Sequence, residues 1–187
     1  DIRIALIFGV VLLDIIGIGV IFPIIPDLLK EVGIDKTASA ALWGGLLSSS
    51  YAFMQFVFSP TIGTLSDIFG RRPVLLTASI LLGIDYLLMG FAENILILFI
   101  GRIIGGLAGG TIATGTAYLA DISDTKDKKK NFAIIGAAFG LGFILGPIIG
   151  GLMGEISVRA PFFLSALLSF LNFLLCLFLL PETLKVG

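Results

Sequence analysis

Histidine is absent from this chain of 187 residues, and cysteine occurs once, at Cys176. Without histidine the chain cannot form a Ser-His-Asp triad or a His-containing zinc site, and one cysteine excludes a disulfide within the chain. The glycine-rich runs lie inside long apolar stretches, where no phosphate-binding loop could form. These absences argue against an enzyme, a resident metal or cofactor, and a nucleic-acid-binding domain.

Charge is also scarce, since Asp, Glu, Lys and Arg make up 13% of the chain and apolar residues 57%. The mean hydropathy of +1.11 exceeds what a soluble domain could bury, so lipid is the expected solvent. Six apolar stretches reach the roughly 20 residues that span a bilayer core of about 30 Å. The sequence therefore predicts an all-α membrane protein with helices at about 4–23, 40–62, 73–92, 95–120, 132–154 and 161–180.

The basic residues predict the orientation of these helices, because Lys and Arg are retained on the cytoplasmic side. If both termini are cytoplasmic, eight cations lie inside and three outside. The inside group is Arg3, Arg71, Arg72, Lys126, Lys128, Lys129, Lys130 and Lys185, and the outside group is Lys30, Lys36 and Arg159. We therefore expect a multi-pass protein with both termini in the cytoplasm.

Three charged residues, Asp14, Asp85 and Arg102, interrupt the apolar stretches. A charge at the bilayer centre costs at least ~2.5–3.5 kcal/mol on insertion scales, so each requires an explanation. Counting 1.5 Å per residue places all three near mid-membrane on three different helices. They could line a water-accessible cavity in which a carboxylate loads and releases a proton. A static ion pair of Asp14 with Arg102 is the alternative, and Asp85 suits a structural role equally well.

Uncharged polar residues and glycines give weaker signals. Gln55 adds a hydrogen-bonding group to the second predicted helix, whereas Asn172 in the sixth is ambiguous. In the fifth predicted helix, small residues recur every four positions, a spacing that lets a neighbouring helix approach closely. These glycines are Gly142, Gly146, Gly150 and Gly154, with Gly136 and Gly140 as a second pair. Pro147 is expected to bend that helix, because proline removes a backbone donor.

A charged turn at residues 63–75 separates the second and third predicted helices. No charge occurs in residues 37–66, and Asp67, Arg71 and Arg72 then fall within six positions. Asp67 and Arg71 lie four residues apart, a spacing suited to a mutual contact if the stretch is helical. Charges in so short a turn between membrane spans indicate a specific role.

These segments resemble the major facilitator superfamily. Gly63-x-Leu65-Ser66-Asp67-x-x-Gly70-Arg71-Arg72 is similar to the signature turn between helices 2 and 3 of that family. Three further segments are similar to motifs of its twelve-helix drug/proton antiporters: Gly17 before Pro23-Ile-Ile-Pro26, Arg102 with Gly106, and Gly140 with Gly146-Pro147-Ile-Ile-Gly150-Gly151. Strings around Asp14, Asp85 and Pro161 are most similar to bacterial tetracycline efflux proteins.

The resemblance implies one half of a transporter fold, built as two three-helix inverted repeats that span residues 1–187. It also implies export of metal-chelated tetracycline from a bacterial cell across the inner membrane in exchange for a proton. No cofactor is implied, although a divalent metal would travel with the substrate. The other, carboxy-terminal half would be the partner of this chain.

The resemblance assigns roles to individual residues. Asp14, Asp85 and Arg102 match positions needed within the membrane, and Gln55 matches a position implicated in substrate handling. The cytoplasmic gate would comprise Gly63, Ser66, Asp67, Gly70, Arg71 and Arg72, and the antiporter motif Gly140, Gly146, Pro147, Gly150 and Gly151. Asp67 would face the amino end of a helix in the other half. Ile68 departs from the family pattern, because a basic residue is common at that position.

Two alternatives remain open at this point. A multidrug or metabolite antiporter of the same superfamily would share these motifs and differ only in cargo. A non-transporting six-helix membrane protein, either truncated or a subunit of an assembly, would account for a chain that supplies only one half of the fold.

Overall fold

The computed structural model describes residues 2–124 and 126–183, so the orientation predicted from Lys185 concerns a residue outside the described part. Within these ranges every regular element is an α-helix, without a β-strand, and the all-α prediction is confirmed. The helices are α1 (Ile2–Ile21), α2 (Ile25–Glu31), α3 (Thr37–Phe69), α4 (Arg71–Gly90), α5 (Ile95–Leu107), α6 (Thr111–Ile122), α7 (Lys128–Ile156) and α8 (Ala160–Leu179).

Local sequence signals explain most helix boundaries. α1 ends before Pro23, and Pro26 lies in the first turn of α2, where its missing N–H costs nothing. Gly70 ends α3 with a φ of +105°, a conformation that favours glycine. Asn94 caps α5, since its side-chain oxygen accepts a hydrogen bond from the backbone N–H of Ile97 at 3.1 Å.

The fourth predicted helix, 95–120, lies within one candidate membrane span, Ile95–Ile122, and this span contains a break. The structure divides it into α5 and α6, with a break at Ala108, Gly109 and Gly110. Glycine is a poor helix former, and here the N–H of Gly109 bonds to the carbonyl of Gly106 at 3.1 Å, three residues back instead of four. The break places the backbone carbonyl of Gly109 within reach of α3.

Five segments are long and apolar enough to cross a membrane, judged by length and composition. They are Ile2–Ile21, Arg71–Gly90, Ile95–Ile122, Lys128–Ile156 and Ala160–Leu179. α3 is longer than any single helix among them, with 33 residues, but it is not in this set. Its serine run and Gln55 reduce its hydropathy, so the count of six spans stays a prediction.

The helices pack around α1 and α4. α1 lies against α7 and α8, α4 against α5 and α8, and α3 against α5. Glycines of α7 allow α1 and α7 to approach closely, because a Cβ on Gly146 would lie 2.7 Å from the Cα of Gly19. Gly150 meets the backbone of Val20 in the same way, whereas a Cβ on Gly140 or Gly151 would meet no atom of the described residues within 4 Å. The antiporter motif therefore contributes two glycines to the α1 contact and leaves two on an open side of α7.

Candidate functional site

Arg102 and Asp85 form a buried ion pair between α5 and α4. Arg102 is 5% exposed and Asp85 is fully buried. The guanidinium donates from Nη2 to Oδ2 of Asp85, and from Nε to Oδ1 at 3.3 Å. This two-pronged contact is the strong geometry for an arginine and a carboxylate. The suggested pairing of Asp14 with Arg102 is wrong, since the cation faces Asp85 instead.

Glycines and tyrosines shape the surroundings of this ion pair. A Cβ on Gly105 would collide with the carboxylate of Asp85, and one on Gly101 would lie 3.0 Å from Oδ1. The ring centres of Tyr51 and Tyr86 lie 5.0 and 5.8 Å from Cζ of Arg102, within cation–π range. The sequence prediction assigned none of Tyr51, Tyr86 and Gly101 to the site and treated Gly105 only as part of a glycine cluster in the fourth predicted helix. The one available signal was the pair of glycines four residues apart that flanks Arg102.

Asp14 is held by an amide instead of a cation. It lies on α1, is 3% exposed, and its Oδ1 accepts a hydrogen bond from Nδ2 of Asn172 at 2.6 Å. The same Nδ2 also donates to the backbone carbonyl of Val10 at 2.8 Å, which ties α8 to α1. Oδ2 of Asp14 lies near the hydroxyl of Thr111 but makes no hydrogen bond of normal geometry within residues 2–124 and 126–183. The role of Asn172, ambiguous in the sequence, is therefore to hold Asp14.

A small chamber lies beside Asp14 and an open cleft lies beyond it. The chamber, about 10 Å³, is lined by residues that include Asp14, Tyr51, Gln55 and Thr111. The cleft, about 610 Å³, opens between α3 and α6 and includes Gln55 and Ser59. We refer to these cavities as the Asp14 chamber and the α3–α6 cleft. The structure thus brings together Asp14 and Gln55 of the predicted site, and separately Asp85 with Arg102.

Residues 63–72, the motif turn, are organised around Arg71. Its Nη1 donates to Oγ of Ser66 at 2.6 Å and lies 2.5 Å from Oδ1 of Asp67, while its Nε donates to Asp121 at 3.0 Å. Ser66 is buried and donates in turn to the carbonyl of Gly63 at 2.8 Å. The predicted contact of Asp67 with Arg71 is confirmed. It bridges the break at Gly70 and does not run along one helix.

Glu182 and Thr183, at the end of the described residues, form hydrogen bonds around the motif turn. The carboxylate of Glu182 accepts the backbone N–H groups of Arg71 and Arg72, each at 3.0 Å. These N–H groups lie at the start of α4, where a helix has no internal acceptors for them. Oγ of Thr183 donates to Asp121 at 3.1 Å. The sequence prediction gave neither residue a contact with the motif turn, and its only signal was an acidic residue two positions after the last apolar run.

The second arginine of the motif turn caps a different helix. Arg72 donates from Nη2 to the carbonyl of Leu177 at 2.5 Å and from Nε to that of Cys176 at 3.3 Å. These carbonyls belong to the last turn of α8, which lacks internal donors. Both arginines therefore have partners within this chain, whereas Asp67 remains 63% exposed at its side chain. Asp67 is the acid of the motif turn that is accessible to a further partner.

A second charged cluster lies where α2, α4 and α8 meet. Arg159 donates from Nε to Glu31 at 3.0 Å and from Nη1 to the carbonyl of Gly90, at the end of α4, at 2.8 Å. Since α4 begins at the motif turn, this cluster lies at the opposite end of the helix. Across the described ranges, no three His, Cys, Asp or Glu side chains group as a metal site would require.

Comparison with known proteins gives a consistent result. The family model described as Major Facilitator Superfamily matches residues 7–187. The class C tetracycline resistance protein of Escherichia coli is 44% identical over 179 residues, which are 96% of this chain and 45% of the relative. The quinolone resistance protein NorA of Staphylococcus aureus is 35% identical over 94% of this chain and 44% of its own length.

A solved structure shows the same fold. The crystal structure of the human organic anion transporter MFSD10 (TETRAN) superimposes with a TM-score of 0.87 and 26% sequence identity. The match covers 98% of this chain and 48% of that protein. The chain therefore spans somewhat under half the length of the curated relatives and the solved structure that it matches.

Proposed function

Because the chain belongs to the Major Facilitator Superfamily, we propose that it is the amino-terminal half of a drug exporter of the bacterial inner membrane. The chain is a multi-pass membrane protein and not an enzyme. The proposed cargo is tetracycline, carried as its metal chelate, and the proposed driving force is a proton that moves inward. No resident cofactor is needed, since the divalent metal travels as part of the substrate.

The observation that carries this proposal is the environment of Asp14. This carboxylate lies inside an apolar helix, yet one of its oxygens makes no hydrogen bond of normal geometry in the described part of the chain. Asp14 also lines a chamber beside an open cleft. A purely structural carboxylate would be expected to have both oxygens satisfied. An oxygen left free beside a cleft is suited to take up and release a proton.

Asp85 and Arg102 have a different part in the same proposal. Their ion pair holds α4 against α5 next to the break that leads into α6. A change in the protonation of Asp85 would release the guanidinium and allow α5 to shift relative to α4. We therefore assign Asp14 to proton uptake and the pair of Asp85 with Arg102 to the change between inward-open and outward-open states.

The remaining parts of the proposal concern the architecture. We assign helices 1–6 of the family fold to α1, α3, α4, α5 with α6, α7 and α8, as two three-helix inverted repeats with both termini cytoplasmic. The motif turn then lies on the cytoplasmic side as a gate. Exposed Asp67 would approach the amino end of a helix in the carboxy-terminal half, where the helix dipole attracts a carboxylate.

Tetracycline uptake into inverted membrane vesicles that contain the full-length protein tests this function. We expect Asp14→Asn to abolish proton-driven uptake while the protein remains in the membrane. Asp27→Asn makes the same chemical change at an exposed acid paired with Lys30 and serves as the control. Full proton-driven uptake by Asp14→Asn would refute the assignment of Asp14.

A second candidate cargo follows from the similarity to the quinolone resistance protein. Accumulation of tetracycline and of a quinolone in whole cells separates the two candidates. Export of both drugs would identify a multidrug exporter, and export of the quinolone alone would refute tetracycline as the cargo. Export of neither drug would refute both cargoes and leave a metabolite antiporter and a non-transporting protein as the remaining alternatives.

A further inference from the structure

The Asp14 chamber and the α3–α6 cleft share one wall. Gln55, Gly109 and Ile112 line both cavities, whereas Asp14 and Thr111 line only the chamber. Nε2 of Gln55 donates to the backbone carbonyl of Gly109 at 3.0 Å, across the gap between α3 and the α5–α6 break. This one hydrogen bond therefore lies between the open cleft and the buried carboxylate.

Gly109 allows Gln55 to close this wall. A Cβ at position 109 would lie 2.8 Å from both Cδ and Nε2 of the glutamine, which is closer than real Cβ contacts come. The helix break at Ala108, Gly109 and Gly110 presents the carbonyl to α3. Closure thus depends on a donor at position 55 and on the absence of a side chain at position 109.

The chamber has the size of a site for one water molecule, and a few buried polar atoms lie at its otherwise apolar wall. Its volume of about 10 Å³ is close to that of one water-sized sphere, which is the smallest space that holds a water. Oδ2 of Asp14 and Oγ1 of Thr111 are both buried and lie near each other, and neither makes a hydrogen bond of normal geometry in residues 2–124 and 126–183. With the Gln55 amide they supply the two to four polar partners that a buried water requires.

We propose that the Asp14 chamber binds a single water that delivers the proton to Asp14, and that Gln55 is the door between this water and the α3–α6 cleft. When the bond from Gln55 to Gly109 opens, water in the cleft reaches the chamber water and transfers a proton to it. The chamber water passes a proton to Oδ2 of Asp14, where an O–H bond forms, and is again neutral water. This inference rests on the proposed role of Asp14 as the proton carrier.

Cysteine accessibility in the full-length protein tests the door independently of transport. Thr111→Cys reports on the chamber and Ala113→Cys on the cleft alone, in a background where Cys176 and any other cysteine are replaced by alanine. We expect Gln55→Ala to raise the reaction rate of Thr111→Cys with a small water-soluble methanethiosulfonate at least tenfold. The rate at Ala113→Cys should change less than twofold.

Two further variants test whether chamber access depends on the hydrogen bond of Gln55. One controls for the size of the side chain and the other for a general loosening of the cleft wall. Gln55→Met keeps the length of the side chain but lacks the N–H donor. A reaction rate of Thr111→Cys equal to that in the parent background would overturn the proposed role of the Gln55 hydrogen bond. Ser59→Ala changes only the cleft wall, and an equal acceleration in that variant would also overturn it. If Gln55→Ala is poorly folded, Gly109→Ala displaces the same side chain and should give the same tenfold increase.

Proton leak tests the water route. In vesicles without drug, Gln55→Ala should collapse an imposed pH gradient at least threefold faster than the parent, and adding Asp14→Asn should restore the parent rate. No faster collapse would overturn the route. A leak that persists in the double variant, with the door confirmed by thiol access, would refute Asp14 as the proton carrier while leaving the door in place.

Discussion

Arg102 faces Asp85 across the α4–α5 interface, and the amide of Asn172 takes the place that a cation would occupy beside Asp14. The two buried acids therefore sit in different electrostatic surroundings. One is neutralised by a guanidinium and the other is held by a neutral donor, so we assign them different tasks. The contacts that create this difference, and those that close the motif turn, can each be tested by substitution.

Replacing Asp85 should lower the stability of the protein more than replacing Arg102. Asp85→Asn leaves a guanidinium that cannot lose its proton, and we expect stability to fall by about 3–5 kcal/mol. Arg102→Gln leaves a carboxyl group that can take up a proton and should cost less. Thermal melting of the full-length protein in detergent measures both. The double variant should melt above Asp85→Asn alone, and a reversed order of the single variants would contradict this account.

Gly105→Ala should disrupt the ion pair without removing a charge. The added methyl group would occupy the position of the Asp85 carboxylate, so that either the pair or the α4–α5 packing must shift. Overpacking of this kind typically costs about 1–3 kcal/mol. Melting temperature and drug uptake should both fall. Gly9→Ala on α1, where a Cβ would meet nothing within 4 Å, is the matched control and should leave both unchanged.

Asn172→Leu should affect Asp14 through the loss of its donor. The substitution removes hydrogen bonds to Asp14 and to the carbonyl of Val10, and losses of this kind cost about 1–3 kcal/mol each when the acceptor stays buried. We expect reduced proton-driven uptake in vesicles. Ser169→Ala, one turn earlier on α8, controls for the loss of a small polar group. Unchanged uptake in Asn172→Leu would show that Asp14 needs no positioning partner.

Glu182→Gln should loosen the start of α4. One amide oxygen cannot replace two carboxylate oxygens that each accept a backbone N–H, so one N–H of Arg71 or Arg72 loses its partner. Hydrogen exchange measured by mass spectrometry should become faster in peptides that cover residues 69–75. Glu31→Gln at the Arg159 cluster should leave these peptides unchanged. Equal exchange in Glu182→Gln and the parent would contradict the capping role.

The helices could be predicted because long apolar runs between charged turns have few other solutions in lipid. The break between α5 and α6 was missed, since a glycine cluster in a membrane helix is as compatible with close packing as with a break. The contact of Asp67 with Arg71 was predicted from local spacing, which fixes distance along the chain. Local patterns of this kind carry most of the fold.

The pairing within the site could not be predicted for a geometric reason. Counting residues gives the depth of Asp14, Asp85 and Arg102 along their helices, but not the direction in which each side chain points around its helix axis. Both acids are therefore equally good partners for Arg102 in the sequence. The choice is made by Gly101 and Gly105, which open space for Asp85, and by Asn172, which approaches Asp14 from a helix 158 residues away in the chain.

The hydrogen bonds from the backbone of Arg71 and Arg72 to Glu182 constrain the order of events during synthesis. The backbone N–H of Arg71, the first in α4, donates to Glu182, which lies 111 residues later in the chain. At about 5–20 residues per second, roughly 5 to 20 s pass between translation of Arg71 and translation of Glu182. The contact of Glu182 with the start of α4 can therefore form only after α8 has been made, which makes it one of the last steps in the assembly of this bundle.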